Sequence, residues 1–431
     1  MALVVQKYGG SSVADSASLK RVARRIVRSR EAGHDVVVVV SAMGDTTDDL
    51  LDLTTDITNR PDARELDMLL TSGERISMSL LAMAVRELGH PAVSLTGVQA
   101  GLRTTHDFGK AKITGIEPTR IRAALDEGSI PIIAGFQGAS SEDDITTLGR
   151  GGSDTTAVAV AAAIDADVCE INTDVDGLFS ADPRVVPSAQ QMPVLSTEEA
   201  LELAAHGAKI LHLRSVEFAR RFRVPLHVRS SFSDQPGTWV IDDLTAIPTY
   251  ARTEYEENLV EEPVIRGVTH SDDLCKITVV NVPDVAGRAA NIFSVLSKAV
   301  STVDMIGQTH TAADTGHIDF SFALPLADGR RAVAALRAAQ HELGFTDVTF
   351  TDEVGKLSVV GAGMRSNAEV SAELFQALSE AGVTVHLIST SEIRVSVVVE
   401  GDQLEEATRA AHRAFGLDTE AEAVVYAGTG R

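Results

Sequence analysis

The sequence predicts an α/β fold whose first half is built on a mostly parallel sheet. Residues 2–44 alternate strand, Gly/Ser turn, helix, strand and Ser/Gly turn, the order expected of parallel strands joined by a helix. Val36–Val40 is an unbroken run of valine, which is typical of a strand buried on both faces. After an acidic stretch, the second half of the chain repeats a shorter strand and helix pattern. We therefore expect one large α/β domain followed by two small repeats.

Composition bounds the class of protein. The 431 residues are enough for two or three domains, and the formal net charge of -23 makes nucleic acids and anionic membranes poor partners. Cys169 and Cys275 lie in apolar runs, which favours core packing in a reducing compartment over a disulfide or a metal site. The chain begins with a strand instead of a signal peptide, and we expect no apolar run of membrane-spanning length and a cytoplasmic location.

The first strand, Ala2–Tyr8, and the second, Val36–Val40, each end in a small polar turn. Lys7 is followed by Gly9, Gly10 and Ser11, and the second strand is followed by Ser41. Asp15 is placed to cap the intervening helix. Because ligands gather at the carboxyl ends of parallel strands, we expect these residues to lie in one site.

A second glycine-rich turn, Thr146–Thr156, runs directly into the apolar helix Ala157–Ile164. We expect Ser153 or Asp154 to cap that helix, whose N-terminus would then attract anions. Arg150 adds a planar donor that suits a carboxylate or a phosphate. The alternative is a surface turn in front of a core helix.

Two further segments combine charge with an unusual position. Glu74 follows a glycine inside the predicted helix Arg64–Leu88, where it is either solvated or functional. The loop Thr173–Arg184 contains three Asp, one Gly and one Pro, so it is either a solvated loop or a nucleotide loop with Arg184 near the phosphates. Further strands of the first domain are predicted at Pro91–Leu95, Ile130–Phe136, Val168–Asn172, Val224–Val228 and Thr238–Ile241.

The domain boundaries follow from these patterns. We place a first domain at residues 1–242, an acidic linker at 243–263, and two repeats at 264–352 and 353–431. Lys276–Val280 matches Lys356–Val360, and each repeat has the strand and helix order of a ferredoxin-like βαββαβ unit. A C-terminal strand that completes the first repeat is the alternative arrangement of the last residues.

Five ordered motifs make the sequence resemble the aspartate kinase family. They are KYGGSS at Lys7–Ser12, SAMGDTTD at Ser41–Asp48, SGER at Ser72–Arg75, GRGGSDTTA at Gly149–Ala157 and TDVDG-x-x-x-ADPR at Thr173–Arg184. The repeats, with VGAGM at Val360–Met364 and LISTSEIRVSV at Leu387–Val397, resemble tandem ACT domains, and the ending Ala423–Arg431 resembles the actinobacterial type. The resemblance covers nearly the whole chain and implies an amino-acid-kinase fold followed by two ACT domains.

The resemblance also implies a reaction and its participants. Members of that family use ATP, with Mg²⁺ held mostly by phosphate oxygens and water, to phosphorylate the side-chain carboxylate of L-aspartate, the first step towards lysine, threonine and methionine. By family match Lys7 is the principal catalytic cation, and Asp154 organises lysines and phosphates. No protein metal site is implied. The implied aspartate-binding residues are Ser41, Thr47, Glu74, Arg150, Gly151 and Ser153, with Glu74 on the ammonium and Arg150 on a carboxylate. The implied ATP-binding residues are Gly9, Gly10, Ser11, Thr173, Asp174, Phe179, Arg184 and Lys209.

The regulatory half departs further from the family pattern. The effector positions would be Asp284, Gly287, Gln308 and Asn367, but the Pro-Gly turn that usually precedes the first ACT helix is incomplete in both repeats, and Thr309 stands where asparagine is usual. We therefore expect intact catalysis with altered feedback by lysine and threonine. The family also implies a homo-oligomer formed through the ACT domains, either dimer or tetramer, and raises the question of a separate regulatory subunit from the same gene.

Three other functions are weighed against this one. A non-catalytic ACT sensor is disfavoured because Lys7, Glu74, Arg150 and Asp154 are all retained. A kinase for acetylglutamate, glutamate or a nucleoside monophosphate fits less well, since an acylated amine offers no ammonium to Glu74 and the ACT repeat is unlike those relatives. An aspartate kinase of a specialised, feedback-insensitive pathway stays open beside the housekeeping enzyme.

Overall fold

The structure is a computed structural model that describes residues 2–208, 210–248, 251, 265–300, 302–310, 316–362, 364 and 368–426. The strands of its first domain are β1 Leu3–Tyr8, β2 Asp35–Val40, β3 Ala92–Leu95, β4 Leu102–Thr104, β5 Ile113–Ile116, β6 Ile130–Ala134, β7 Gln137–Ala139, β8 Ile145–Thr147, β9 Val168–Thr173, β10 Val194–Leu195, β11 Leu226–Ser230 and β12 Thr238–Val240. Its helices are α1 Ser16–Glu31, α2 Thr46–Ile57, α3 Ala63–Leu70, α4 Ser72–Glu87, α5 Thr119–Asp126, α6 Gly152–Ile164, α7 Thr197–Ala205 and α8 Leu213–Phe222.

The first domain is organised around an eight-stranded sheet in the order β10-β12-β11-β9-β1-β2-β6-β3. Strand β1 pairs in parallel with β2 and β9, so Tyr8 lies opposite Val40 on one side and Asn172 on the other. Because these three strands end level with one another, the turns that follow them meet at one edge. A smaller sheet, β5-β4-β7-β8, leads into the glycine-rich turn before α6. The predicted mostly parallel sheet is confirmed.

Each face of this sheet has its own apolar core. On one face, α1 and α4 pack their leucines and valines against β2 and β6. On the other, the alanines and valines of α6 pack against β1 and β9. The predicted N-cap Asp15 accepts a hydrogen bond from the backbone N–H of Ser18, as expected. Cys169 and Cys275 are both free and buried.

The second half forms two four-stranded sheets with helices on one side. Its strands are β13 Ile265–Ser271, β14 Leu274–Pro283, β15 Asp304–His310, β16 His317–Pro325, β17 Asp347–Thr351, β18 Val354–Gly361, β19 Val385–Thr390 and β20 Arg394–Glu400. Its helices are α9 Arg288–Ala299, α10 Leu326–Ala338, α11 Gln340–Leu343, α12 Ala368–Glu380 and α13 Leu404–Ala414. The sheet orders are β15-β16-β14-β17 and β13-β18-β20-β19, which are two ferredoxin-like sheets.

The hydrogen bonding departs from our repeat boundary at one strand. Strand β13, which we placed at the start of the first repeat, pairs antiparallel with β18 of the second. It therefore occupies the edge that a C-terminal strand of the second repeat would otherwise cover, and covering that edge satisfies its backbone groups. The last described residues, 417–426, run to the first domain instead of completing either sheet. The C-terminal strand that was the alternative for the first repeat is not formed by these residues.

One apolar helical run is longer than the sequence analysis expects. Residues 63–87, covering α3 and α4, are long and apolar enough to cross a membrane by length and composition. Half of the most apolar window is buried inside the protein, as in a core helix. The run begins and ends within the domain that carries the parallel sheet, so we interpret it as part of that core.

Candidate active site

A buried ion pair lies at the edge where β1 ends. The Lys7 ammonium is 2.6 Å from Oδ1 of Asp154, and the two side chains are 12% and 5% exposed. Lys7 is the second-to-last residue of β1, and Asp154 lies in the first turn of α6. A lysine fixed in this way presents a positive charge at a defined position, in surroundings of low dielectric where it acts strongly.

The helix that carries Asp154 begins two to three residues earlier than a cap at Ser153 or Asp154 would predict. Gly151 is the N-cap residue with φ of 68°, and no side chain caps the helix. A Cβ on Gly151 would overlap the imidazole ring of His212, so both the backbone angle and the space demand glycine. The predicted cap residues lie inside the helix, where Asp154 is free to face Lys7. The N–H of Gly152 donates to the Gly149 carbonyl over 3.0 Å, and the N–H groups that follow it in the first turn of α6 suit an anion.

Two more turns approach the same lysine. A Cβ on Gly9 would lie 3.4 Å from the Lys7 Nζ atom, and one on Gly10 would lie 2.9 Å from the carbonyl oxygen of Gly44. The N–H of Gly44 donates to the Gly10 carbonyl over 3.1 Å, and that of Ser41 donates to the Tyr8 carbonyl over 3.1 Å. The turns after β1 and β2 therefore interlock, and larger residues would separate them. This places Ser11 and Ser41 on adjoining turns.

Glu74 is a buried carboxylate with one unused oxygen. It lies in the first turn of α4 and is 3% exposed. Its Oε1 accepts a hydrogen bond of 3.2 Å from the backbone N–H of Ala42, whereas Oε2 has no hydrogen-bond partner among the described residues. Burial raises the pKa of Glu74 from 4.5 to about 7. Such a group is stabilised in its charged form by an incoming cation.

The close approach of α4 depends on the preceding glycine. A Cβ on Gly73 would lie 2.7 Å from that of Ala42. The hydroxyl of Ser77 also donates to the Ser41 carbonyl over 2.7 Å, which ties α4 to the turn after β2. Thr47 lies on the same side, in the first turn of α2, a helix with no buried residue.

Arg150 projects from the glycine-rich turn just before α6. It is exposed, and it makes no ion pair with any residue that the structure describes. An unpaired guanidinium beside a helix N-terminus suits a carboxylate or a phosphate.

The predicted nucleotide loop lines a cavity of its own. Thr173, Asp174, Phe179 and Arg184 all contribute to that cavity. The Arg184 guanidinium lies 3.6 Å from Oδ2 of Asp174, and the Thr173 hydroxyl donates to Oδ1 of Asp174 over 3.0 Å. The remaining wall is largely apolar and includes Leu178, Met192, Leu203 and Ile210. Because β9 ends at Thr173 beside β1, this cavity adjoins the Lys7 edge. Lys209 lies outside the described residues.

The geometry agrees with the comparisons to known proteins. The amino acid kinase family model matches residues 2–230, and an ACT domain model matches residues 357–415. The chain is 55% identical to an aspartokinase of Mycolicibacterium smegmatis and 54% identical to one of Corynebacterium glutamicum, each over the full length of both chains. The solved structure of E. coli aspartokinase III in complex with aspartate and ADP superimposes with a TM-score of 0.79, covering 96% of this chain and 99% of that one. At 23% identity, that likeness shows the fold alone.

The chain belongs to the aspartokinase family. Its reaction is the ATP-dependent phosphorylation of the side-chain carboxylate of L-aspartate. The aspartokinase resemblance drawn from the sequence motifs is thereby confirmed. The non-catalytic ACT sensor is not favoured, because relatives that match over the whole chain are aspartokinases.

The residues that the sequence predicts as effector positions lie in the ACT half, apart from the predicted kinase site. Asp284 and Gly287 are exposed just before α9, where Gly287 is the N-cap residue with φ of 91°. Gln308 is exposed on β15, an edge strand. Asn367 lies outside the described residues. The structure therefore places Asp284, Gly287 and Gln308 in one ACT sheet and the turn before its first helix.

Several residues at the site were missed by sequence reasoning. His212 has its Nε2 atom 3.9 Å from Oδ2 of Asp154, and burial lowers the pKa of this imidazole. Thr269, His270 and Val425 line the cavity of the predicted nucleotide loop, although they belong to the second half of the chain. No pattern in the sequence marks these residues, because each reaches the site only through packing between distant segments.

Proposed function

We propose that the edge formed by β1, β2 and the start of α6 is where the phosphoryl group is transferred to aspartate. The buried Lys7–Asp154 pair carries this proposal, because it fixes one cation among glycine turns and a helix N-terminus. Phosphoryl transfer requires positioning and charge neutralisation more than covalent catalysis. Lys7 neutralises the transferring oxygens, while the N–H groups near Gly9, Gly10 and Ser11 and those at the start of α6 hold the phosphates.

The aspartate substrate is oriented by two opposite charges. Its ammonium pairs with Glu74. Two observations support this pairing: the Glu74 carboxylate is buried, and its Oε2 has no hydrogen-bond partner among the described residues. One of its carboxylates pairs with Arg150, and hydroxyls of Ser41, Thr47 and Ser153 complete the contacts. Gly151 lets α6 begin close to His212, and its backbone is the part that would face the substrate. The other carboxylate is then free to attack the phosphoryl group.

ATP is the phosphoryl donor, and its base and ribose occupy the cavity of the nucleotide loop. The apolar wall with Phe179 supports the base, and Thr173, Asp174 and Arg184 bind the polar part, together with Lys209. Magnesium fits this arrangement through phosphate oxygens and water. The carboxylate of Asp154 is already paired with Lys7, so it is not free to join a protein cage for the ion. Bound magnesium would neutralise charge on the phosphates.

The placement of aspartate and ATP in separate parts of the site can be tested with single substitutions. Arg150→Ala should raise the KM for aspartate with little change in the KM for ATP, and Asp174→Asn should do the reverse. Arg103→Ala is the control, since Arg103 is an exposed arginine paired with Asp143 on a different sheet. Steady-state kinetics with each substrate varied in turn would contradict the assignment if both variants shifted the same KM.

We further propose that the ACT sheets serve assembly and effector binding. Strands β15 and β19 are edge strands that expose Ile306 and Ile388. Such apolar edges suit pairing with a second copy of the chain, which would form a homodimer or, through two such contacts, a tetramer. Lysine and threonine are the proposed effectors, bound near Asp284, Gly287, Gln308 and Asn367. Cys169 and Cys275 are buried free thiols, which is consistent with a protein that functions in the reducing cytoplasm.

A further inference from the structure

The segment after the last ACT helix returns to the kinase domain. We call residues 417–426 the C-terminal strap. The Thr419 N–H donates to the Ser188 carbonyl over 2.9 Å, and the Ala423 N–H donates to the Pro187 carbonyl over 2.8 Å. Asp418 also forms a β-bridge with Ala189. The strap therefore runs along the segment that follows the nucleotide loop.

The end of the strap is bonded to the nucleotide loop itself. Val425 forms an antiparallel β-bridge with Val175, and the Tyr426 N–H donates to the carbonyl of Asp174 over 2.9 Å. The Tyr426 hydroxyl donates to Oδ2 of Asp176 over 3.0 Å. These contacts hold the loop at Asp174, Val175 and Asp176, so they fix the direction in which the loop leaves β9.

Neighbouring valines of the strap have different surroundings. Val425 lines the nucleotide cavity beside Asp174 and Phe179. Val424 is 48% exposed and does not line the cavity. This alternation is what a strand paired at the rim of a cavity produces, since successive side chains face opposite sides.

A second attachment lies deeper in the interface. The Ser180 hydroxyl and the His412 Nε2 atom are 2.8 Å apart, and His412 Nδ1 lies 3.1 Å from Oδ1 of Asp418. Ser180 Oγ also accepts a hydrogen bond of 2.9 Å from the backbone N–H of Gln190. Ser180 and His412 are 2% and 0% exposed, so this Ser–His–Asp series cannot reach a substrate. It acts as a clamp between the nucleotide loop and the end of α13.

Aromatic contacts extend the strap towards the phosphate side of the site. The rings of Tyr426 and Phe232 are stacked at 5.8 Å, and the Arg21 guanidinium lies 4.2 Å from the centre of the Phe232 ring. Arg21 belongs to α1, the helix that follows the Gly9–Ser12 turn. Tyr426, Phe232 and Arg21 thus connect the strap to α1, the helix that follows the proposed phosphate-binding turn.

We propose that the C-terminal strap is a working part of the ATP site, with Val425 contacting the bound nucleotide and Tyr426 positioning Asp174. This inference rests on the proposed placement of ATP in the nucleotide cavity. The regulatory half thereby supplies part of the wall of the nucleotide site, through Val425, and the hydrogen bond from the Tyr426 N–H that positions Asp174. A movement of the second ACT domain relative to the kinase domain would shift both.

The contact is tested by comparing adjacent valines. Val425→Ala removes two methyl groups from the cavity wall, and loss of about 0.8 kcal/mol per buried group corresponds to a roughly 4- to 15-fold rise in the KM for ATP. The KM for aspartate should not change. Val424→Ala is the control, because its side chain is outside the cavity, and its kinetics should match those of the parent chain.

The same measurements separate this inference from the placement of ATP. If Asp174→Asn raises the KM for ATP but Val425→Ala leaves it unchanged, the strap contact is wrong and the cavity assignment stands. If neither variant changes the KM for ATP, ATP binds elsewhere and both conclusions are overturned. An equal rise in the KM for aspartate with Val425→Ala would indicate general damage and would also overturn the contact.

The positioning role is tested by removing one backbone donor. Tyr426→Pro and Tyr426→Ala both remove the ring and the hydroxyl, but the proline variant also lacks the N–H that binds Asp174. One hydrogen bond of about 0.5–1.5 kcal/mol corresponds to a KM for ATP roughly 2- to 13-fold higher with proline than with alanine. Equal ATP kinetics in the two variants, whether or not their melting temperatures differ, would refute the positioning role.

Discussion

The kinase edge, where β1 and β2 end and α6 begins, and the ACT edges, which are the outer strands of the ACT sheets, place their polar groups in opposite environments. Lys7, Asp154 and Glu74 are nearly buried, and Lys7 and Asp154 form an ion pair within a single chain. Gln308 and the next two residues of β15, Thr309 and His310, are exposed on the outer strand of an ACT sheet. Catalysis needs charges held in low dielectric before the substrate arrives, which one chain can supply. An outer strand has unpaired backbone groups, which a partner or a ligand can bind.

The two regions also differ in how much their turns constrain the sequence. At the kinase edge, a side chain on Gly10, Gly73 or Gly151 would approach or overlap neighbouring atoms. Before α9, a Cβ on Gly287 would meet nothing within 4 Å, although its φ of 91° still favours glycine. Substitution should therefore cost more at the first edge, where neighbouring atoms fill the space, than at Gly287, where only the backbone angle requires glycine. The following predictions address this comparison.

The largest effect is expected from Lys7→Ala. Loss of the fixed cation should lower kcat by about 10²–10³-fold, the usual loss for one donor of this kind. Because Asp154 would remain buried without its partner, the melting temperature should fall as well. Lys20→Ala, at an exposed lysine of α1, is the control. A kcat near that of the parent chain in a folded Lys7→Ala variant would remove Lys7 from the mechanism.

Glu74→Gln should mainly affect aspartate. The amide keeps the shape but cannot pair with the substrate ammonium as a charge, and a bond to a charged group contributes about 1.5–3 kcal/mol, or about 10- to 150-fold in the KM for aspartate. The KM for ATP should stay within about twofold of the parent value if Glu74 has no contact with the nucleotide. Initial-rate measurements that found the aspartate KM unchanged would contradict the proposed pairing.

The raised pKa of Glu74 predicts a pH dependence of catalysis. With a pKa of about 7, Glu74 loses its charge as the pH falls below that value. The kcat/KM for aspartate should then fall, approaching about tenfold per pH unit, because the free enzyme's carboxylate is required. In Glu74→Gln the acid limb of the profile should disappear. An acid limb that is the same in both proteins would assign it to another group.

The same shift predicts a dependence of stability on pH without aspartate. A carboxyl group whose pKa rises from 4.5 to about 7 on folding binds more protons in the folded state between those values. Its contribution to the free energy of unfolding is therefore fully present below pH 4.5 and is lost as the pH rises towards 7. Denaturant unfolding of the parent chain and Glu74→Gln across this window should show a smaller decline in the variant. Parallel curves would contradict the assignment.

The smallest effect is expected from feedback. Lysine and threonine together should inhibit only weakly, because losses of about 1–3 kcal/mol per missing polar contact are as large as a typical allosteric coupling. Thr309→Asn should increase sensitivity to the two amino acids by restoring a side-chain amide on β15. Thr349→Asn is the control, since Thr349 is exposed on β17 at the opposite edge of the same sheet. Strong joint inhibition of the parent chain would show that the pocket tolerates threonine.

Local patterns in the sequence were sufficient for most of the framework. The buried valine strand, the Asp15 cap and the parallel order of β1 and β2 follow from residue types that favour one backbone arrangement. The glycine motifs and Lys7 were found because a strand end followed by glycine is a local feature. The strand β13 was assigned to the wrong repeat, since sequence order does not specify which sheet edge a strand will cover.

The sequence by itself determined the α/β framework, the motifs that mark the aspartokinase family, and the charged residues of the candidate site. Only the tertiary structure decided that Asp154 pairs with Lys7 instead of capping α6, that Glu74 is buried with an unused oxygen, and that Val425 reaches the nucleotide cavity. The physical reason is the range of the interactions. Strand and turn preferences act between near neighbours in the chain, whereas burial, ion pairing and the wall of a cavity depend on residues hundreds of positions apart that meet only when the chain packs.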